Sequence, residues 1–583
     1  MEKNPPRLPG YQLPTGPHLS RGREAYGFLT PIQDLMPQVF SIPPRRVLPI
    51  IFLPGIMGSN LRTSAARQAA LDRGNNIAWC PESKTTSIAL AKASARQRQN
   101  QLDYAQTEVD MYEPGRDSTG DAKESSDERQ AAVKVGFRYP VDVSIDMPLL
   151  MDDPKSMPLA KTKEQKARAR GWGEIFFGSY CDLLEMCELR LNTAFHRGKM
   201  DTWWRVVIGV APETWQASLQ PRLLPLDETA LKKAVENCWF PVHAMGYNWL
   251  QSNRKSGIVI AHRINALMEK YRTQGFQCEK VIVVTHSMGG MVGRALIHPE
   301  MGNLGEKVLG IVHGVMPALG AAAAYKRIRT GFEDPGVVSM SPIVSVTAKV
   351  LGNYGREVTA VLANAPGGLE LLPSQAYGNG WLQIRQNGQT LRSLPEQGDP
   401  YEEIYKLRGK WYGLLREEWI NPARQPQSGF DRTAKMLDEA KMFHKEIGAT
   451  YHGQSYAHYG ADSARAAWHN VVWNLGSKSD ISGMDQFQIR TDDEQGNLTL
   501  CKPGSAVHVA NTDDVPAALL PAGEPGDQTV PLHSSEHQYH SGKFKGIFRQ
   551  TGYEHQASYK DEGALYSTLY SLVCIAQTMK WTK

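Results

Sequence analysis

Ser287 has the setting that most constrains its chemistry. It stands in Val281-Ile-Val-Val-Thr-His-Ser287-Met-Gly-Gly290, a β-branched run followed by small residues and a helical pattern. A serine at a strand-to-helix turn projects its hydroxyl out of the sheet. Small residues must flank it, because the turn draws strand and helix together. Gly289 and Gly290 meet that need on the far side, while Thr285 departs from the usual glycine of G-x-S-x-G and fits if the helix stands slightly further off. The helix N-terminus behind the serine offers free N–H groups and a positive dipole to an oxyanion. A second glycine-bearing stretch, Leu53-Pro-Gly-Ile-Met-Gly-Ser-Asn60, follows the early apolar run at 47–53. Its Gly55 and Gly58 allow backbone amides to turn toward a tetrahedral oxygen, with the N–H of Ile56 or Met57 expected to act beside that of Met288. Together these features predict acyl transfer through a serine nucleophile.

Such a serine needs a base and an acid, which follow it in the chain order of this kind of turn. The acid candidates are Asp527 in GDQTVP and Asp513 and Asp514 in ANTDDVP. The base candidates are His533, His537, His540 and His555. The first three share the stretch HSSEHQYH, which offers a metal site if it folds onto one face. His286, next to the serine, reads as a packing or loop residue.

The elements that must position these groups follow an α/β rhythm. Residues 47–53 and 281–284 read as buried strands, 257–273 as an amphipathic helix ending near Gly275, and 455–460, 506–510 and 544–549 as further strands. Helices are expected from about 431 and over 562–579, with shorter amphipathic candidates near 341–351 and 357–363. Residues 1–45, rich in Pro and Gly, are expected to wrap the surface. The expected core combines 46–62, 241–335 and 451–583, a mostly parallel doubly wound sheet. Insertions fill 63–240 and 336–450, with 84–134 polar enough to be partly disordered. MPLLM at 147–151 and the stretch 337–371 are apolar enough to serve as lids.

Composition excludes several classes. A chain of 583 residues with 41% hydrophobic residues can build a large core and is not wholly disordered. Lys+Arg 65 against Asp+Glu 60 gives +5, without the concentrated footprint of a nucleic-acid binder. The one basic stretch, 160–170, reads as a solvated helix face or loop, or else as a contact for anionic headgroups. Seven scattered cysteines without a CxxC pair do not form a disulfide framework. The N-terminus shows no apolar signal-peptide region, so the protein is expected in the cytosol of its producer. The uncharged stretch 308–325 is broken by Gly and Pro and reads as a strand and tight loop instead of a membrane span.

VTHSMGG, LPGIMGSNL, PGGLELLPS at 366–374, SYAHYG and GDQTVPLHSS occur here in one set. That set resembles the lecithin:cholesterol acyltransferase-like and GPI inositol-deacylase-like branches of the α/β-hydrolase lipases. With GYNW at 246–249 and no signal peptide, the chain is most similar to the bacterial type VI secretion lipase effectors, particularly their fourth family. The motifs cover under half of the chain.

The resemblance implies an α/β-hydrolase core with large cap or lid insertions and a catalytic set of Ser287, Asp527 and His555. It implies hydrolysis of membrane phospholipid esters without a cofactor or metal. An acyltransferase with the same triad, or a non-catalytic lipid- or partner-binding module on the same scaffold, are the alternatives. It further implies type VI delivery to a target cell, a spike or delivery protein, and a cognate immunity protein. No nucleic-acid partner is implied.

Overall fold

The structure, a computed structural model, describes strands within residues 15–42 and residues 44–139, 149–153, 159–196, 198–332, 351–477, 480–504 and 513–582. At its centre lies a six-stranded sheet of β1 (Ile50–Leu53), β2 (Val242–Ala244), β3 (Val281–His286), β4 (Val308–Gly314), β5 (Ser455–Gly460) and β6 (Phe544–Gln550). The spatial order is β2-β1-β3-β4-β5-β6. Every neighbouring pair is parallel. A parallel sheet is covered on both faces, which is why β3 reads VIVVTH with every residue buried. The fold is therefore α/β, as the sequence rhythm predicts.

Register shows how the two faces are covered. Thr285 pairs with His313 on one face, and Ile282 with Gly310 on the other. On the first face lies α1 (Gly289–Ile297), whose Gly293 sits over Thr285. On the second lies the C-terminal helix, Glu562–Ala576, whose Ile575 fills the space above Gly310. A helix over Asn253–Thr273 crosses α1 at Gly257, where an added Cβ would stand 2.7 Å from that of Ala295. Its start is set by Ser252, whose side chain accepts from the Lys255 amide. All six strands run the same way, so the turns after β1, β3, β4, β5 and β6 gather at one edge, where α/β sheets hold their sites.

Several expectations change. Residues 451–583 do not all join the central sheet. A second, mixed six-stranded sheet takes Leu382–Gln386 and Gln389–Leu394 together with Val471–Leu475, Gln488–Asp492, Asn497–Cys501 and Val515–Leu519. The segment 84–134, expected to be partly disordered, is folded. It forms helices over Lys84–Ala91, Ala95–Gln101 and Ser126–Arg129, with Leu90 and Leu102 buried. Its polar residues serve as caps: Ser83, Ser94 and Ser125 each accept an N-terminal amide. The basic stretch turns its cations inward, with Lys163 donating to Phe137 O (3.1 Å), Arg168 paired with Asp127 (2.6 Å) and Arg170 with the buried Glu188 (2.8 Å). That pairing leaves little of it for headgroups.

The apolar lid candidates are core where described. Leu149 and Leu150 are buried, and helices Gly355–Leu362 and Pro366–Leu369 bury most of their length. Residues 147–148 and 337–350, which take in all but the last residue of the helix expected at 341–351, and the strand expected at 506–510 lie outside the described residues. Residues 15–42 contribute a three-stranded antiparallel sheet. No described helix is long and apolar enough to cross a membrane.

Candidate active site

Ser287 immediately follows β3 and stands in the left-handed region, at φ 52°. A non-glycine residue accepts that conformation only where its surroundings enforce it. Here the Ser287 amide donates to Gly314 O (2.8 Å), and the chain enters α1 at once. Small residues make the turn possible. An added Cβ on Gly289 would stand 2.4 Å from Leu53 O, and one on Gly290 would run into the Met316 side chain at 2.5 Å. Gly55 brings the 53–60 loop directly against the serine, since its Cβ would lie 3.0 Å from that of Ser287.

The structure brings Ser287, His555 and Asp527 into one line. The Ser287 hydroxyl lies 2.8 Å from His555 Nε2, and His555 Nδ1 lies 2.8 Å from Asp527 Oδ2. Asp527 is fully buried, so its charge must be met by donors. Its other oxygen accepts the amides of Thr529 (3.1 Å) and Val530 (2.7 Å) within the GDQTVP turn. The His555 amide donates to Asp527 O (2.9 Å), which ties acid and base together through the backbone as well. A carboxylate held on Nδ1 fixes the tautomer in which Nε2 is free to accept the serine proton. Gly460, the last residue of β5, allows this approach: its added Cβ would lie 2.6 Å from that of Asp527.

Within the described residues, no hydrogen bond engages the amides of Ile56, Met57 or Met288. Met57 is held at φ 61°, and its carbonyl accepts the Trp79 indole N–H (2.8 Å). Ile56 and Met57 follow Gly55 in the loop after β1, and Met288 follows Ser287 at the start of α1.

The competing candidates lie elsewhere. Asp514 pairs with Arg490 (2.9 Å). His533 Nε2 meets Tyr377 O (2.8 Å), and its ring stacks on His469 at 4.1 Å. His537 lies beside Tyr451, and His540 is exposed beside Glu536. Among the described residues, no group of three or more His, Cys, Asp or Glu side chains is placed to hold a metal.

Three residues around the site carried no catalytic signal in the sequence. Tyr247 of the GYNW stretch donates its hydroxyl to Pro54 O (2.7 Å), bracing the loop before Gly55. Tyr180, in the insertion, contacts Gly55, His286 and Gln556. His286 is buried, and its Nε2 meets His555 O at 2.9 Å. Burial, reinforced by the nearby His555, holds its pKa well below the usual histidine value. Only its place beside the serine hinted at this contact.

No protein-family model and no curated protein matches the chain. Among solved structures, a chain of "The crystal structure of Tle4-Tli4 complex" is 31% identical with a TM-score of 0.70, over 92% of this chain and 99% of that one. At that identity and coverage, this chain belongs to the Tle4 family, the fourth family of type VI secretion lipase effectors.

Proposed function

We propose that this lipase effector has an α/β-hydrolase core and hydrolyses membrane phospholipid esters through Ser287, His555 and Asp527. The observation that carries the reading is the continuous line from Ser287 Oγ through the His555 ring to Asp527, each link 2.8 Å. His555 Nε2 takes the Ser287 proton as Oγ bonds to the ester carbonyl carbon. The carbonyl oxygen becomes an oxyanion facing the amides of Met288 and of Ile56 or Met57. Each such donor is worth roughly 10²–10³ in turnover. Collapse expels the lysolipid alcohol, which receives the proton from His555. Water then gives a proton to His555 and attacks the acyl-enzyme, releasing fatty acid and restoring Ser287. Asp527 keeps its charge throughout and stabilises the imidazolium.

Delivery by type VI secretion to the membranes or periplasm of a target cell, with a spike or delivery protein as carrier, is proposed on the ground of family membership. A cognate immunity protein is proposed on the same ground, supported by the matched structure's being a Tle4–Tli4 complex.

Vesicles of phosphatidylethanolamine and phosphatidylglycerol, incubated with the protein in ¹⁸O-water, test the reaction class. Hydrolysis places ¹⁸O in the released fatty acid. Unlabelled acyl groups on a second alcohol would instead identify a transferase. No acyl release at all would favour a binding module.

A further inference from the structure

The 63–240 insertion reaches the catalytic edge through a helix over Phe177–Asn192, and its Tyr180 is fully buried. The phenol ring packs on Phe52 of β1, with centroids 4.8 Å apart. Its hydroxyl is met by three segments. The Gly55 amide donates to it from the loop after β1 (3.3 Å), His286 Nδ1 lies 3.2 Å away at the end of β3, and Gln556 Nε2 approaches at 3.5 Å while donating to Ser179 Oγ (2.8 Å).

The direction of each bond follows from its partners. The His555 carbonyl can only accept, so His286 carries its proton on Nε2 and donates there. The neutral ring then presents a lone pair at Nδ1, and the Tyr180 hydroxyl donates to it. The phenol oxygen keeps its lone pairs for the Gly55 amide and the Gln556 side chain. One neutral chain of hydrogen bonds thus runs from Gly55 N–H through Tyr180 O–H to His286, and from His286 Nε2–H to the His555 backbone. It links the loop that carries Ile56 and Met57 to the backbone of the histidine facing Ser287.

We propose that Tyr180 is a positioning residue that holds the oxyanion loop and the catalytic-histidine loop at a fixed distance through His286. The inference rests on the proposed roles of Ser287 and His555. It gives part of the insertion a purpose in the chemistry, beyond covering the core. The phenol touches neither substrate nor the reacting atoms, so its loss should change how well the groups are aligned and leave ester binding largely intact.

The test uses the full-length protein and p-nitrophenyl butyrate, with Tyr180→Phe, His286→Gln, the double variant and Ser287→Ala measured together with thermal unfolding. The expected result is a kcat lower by about 10–100-fold in Tyr180→Phe, with KM within about twofold, since small misplacements of reacting groups have such effects. The double variant should lose no more than the worse single, because both substitutions cut the same chain. Unchanged kcat in Tyr180→Phe, or losses that multiply in the double variant, would overturn the proposal. If Tyr180→Phe does not fold, His286→Gln alone decides, by the same split between kcat and KM. Ser287→Ala separates the two readings. A dead Ser287→Ala beside a fully active Tyr180→Phe rejects the hydrogen-bonded chain alone, whereas an active Ser287→Ala rejects the serine mechanism on which it rests.

Discussion

Gly293 of α1 faces Thr285 of β3 so closely that a Cβ on the glycine would lie 3.3 Å from the threonine Cγ2. Thr285 occupies the position where a serine turn of this kind usually has glycine. The helix gives up the side chain that the strand keeps, and the close packing of strand and helix is preserved. Thr285 also places its hydroxyl 3.3 Å from His313 Nδ1.

Gly293→Val should therefore destabilise the fold by about 1–3 kcal/mol through overpacking. Combined with Thr285→Gly, it should cost less than the sum of the two single changes. Urea unfolding of the three variants measures this, and strict additivity would show that the two positions are not coupled.

Glu370, in the PGGLELLPS stretch, is buried at the start of the Asn253–Thr273 helix and accepts both the amide and the side chain of Asn253 (2.7 Å each). Burial pushes its pKa up to about 8 from the ordinary 4.5. Below about pH 4.5 the group is protonated folded and unfolded and has no effect on the pH dependence. Between 4.5 and 8 the unfolded chain releases the proton and the fold does not, so stability falls as pH rises. Glu370→Gln should remove that slope, matching the native protein near pH 4 and exceeding it by on the order of a few kcal/mol near pH 9. Urea midpoints at the two pH values give the comparison, and an equal difference at both would contradict it.

Ser287 is 4% exposed, so on the proposed mechanism an ester must gain access before it can be attacked. If access to Ser287 opens by burying apolar surface at a lipid interface, at about 25 cal/mol per Å², vesicles and micelles should favour the open state. Specific activity should then rise sharply above the critical micelle concentration of a short-chain phosphatidylcholine. Equal activity below and above it would show that access does not depend on an interface.

His555→Ala should abolish turnover as fully as Ser287→Ala, and the double variant should be little worse, since the members of such a set act as one unit. His540→Ala should remain active, and EDTA should leave turnover intact. A silent His555→Ala beside an inactive His540→Ala would reassign the base.

Much of the central sheet was legible because it depends on local patterns. The unbroken apolar strand at 281–284, the glycines after the serine and the periodic helices at 257–273 and 562–579 each declare themselves within a few residues. What stayed hidden depends on distant partners. Tyr180 meets His286 across 106 positions, and nothing in the spacing of either residue signals the contact. Gly460 looked like a strand end, yet its missing Cβ makes room for Asp527. The 84–134 segment looked disordered because its serines and charges resemble a solvated linker, although they are used for helix caps and ion pairs. The second sheet was missed because it joins strands from both sides of position 451.

The most direct test of the central claim is covalent trapping. A fluorophosphonate should place one adduct on the peptide carrying Ser287, read by mass spectrometry, with loss of phospholipid hydrolysis in proportion to labelling. Both should vanish in Ser287→Ala, and labelling should be slowed by on the order of 10³-fold or more in His555→Ala, as for members of such a catalytic set. An adduct on another residue that tracks the loss of activity, or full hydrolysis by a folded Ser287→Ala protein, would contradict the account.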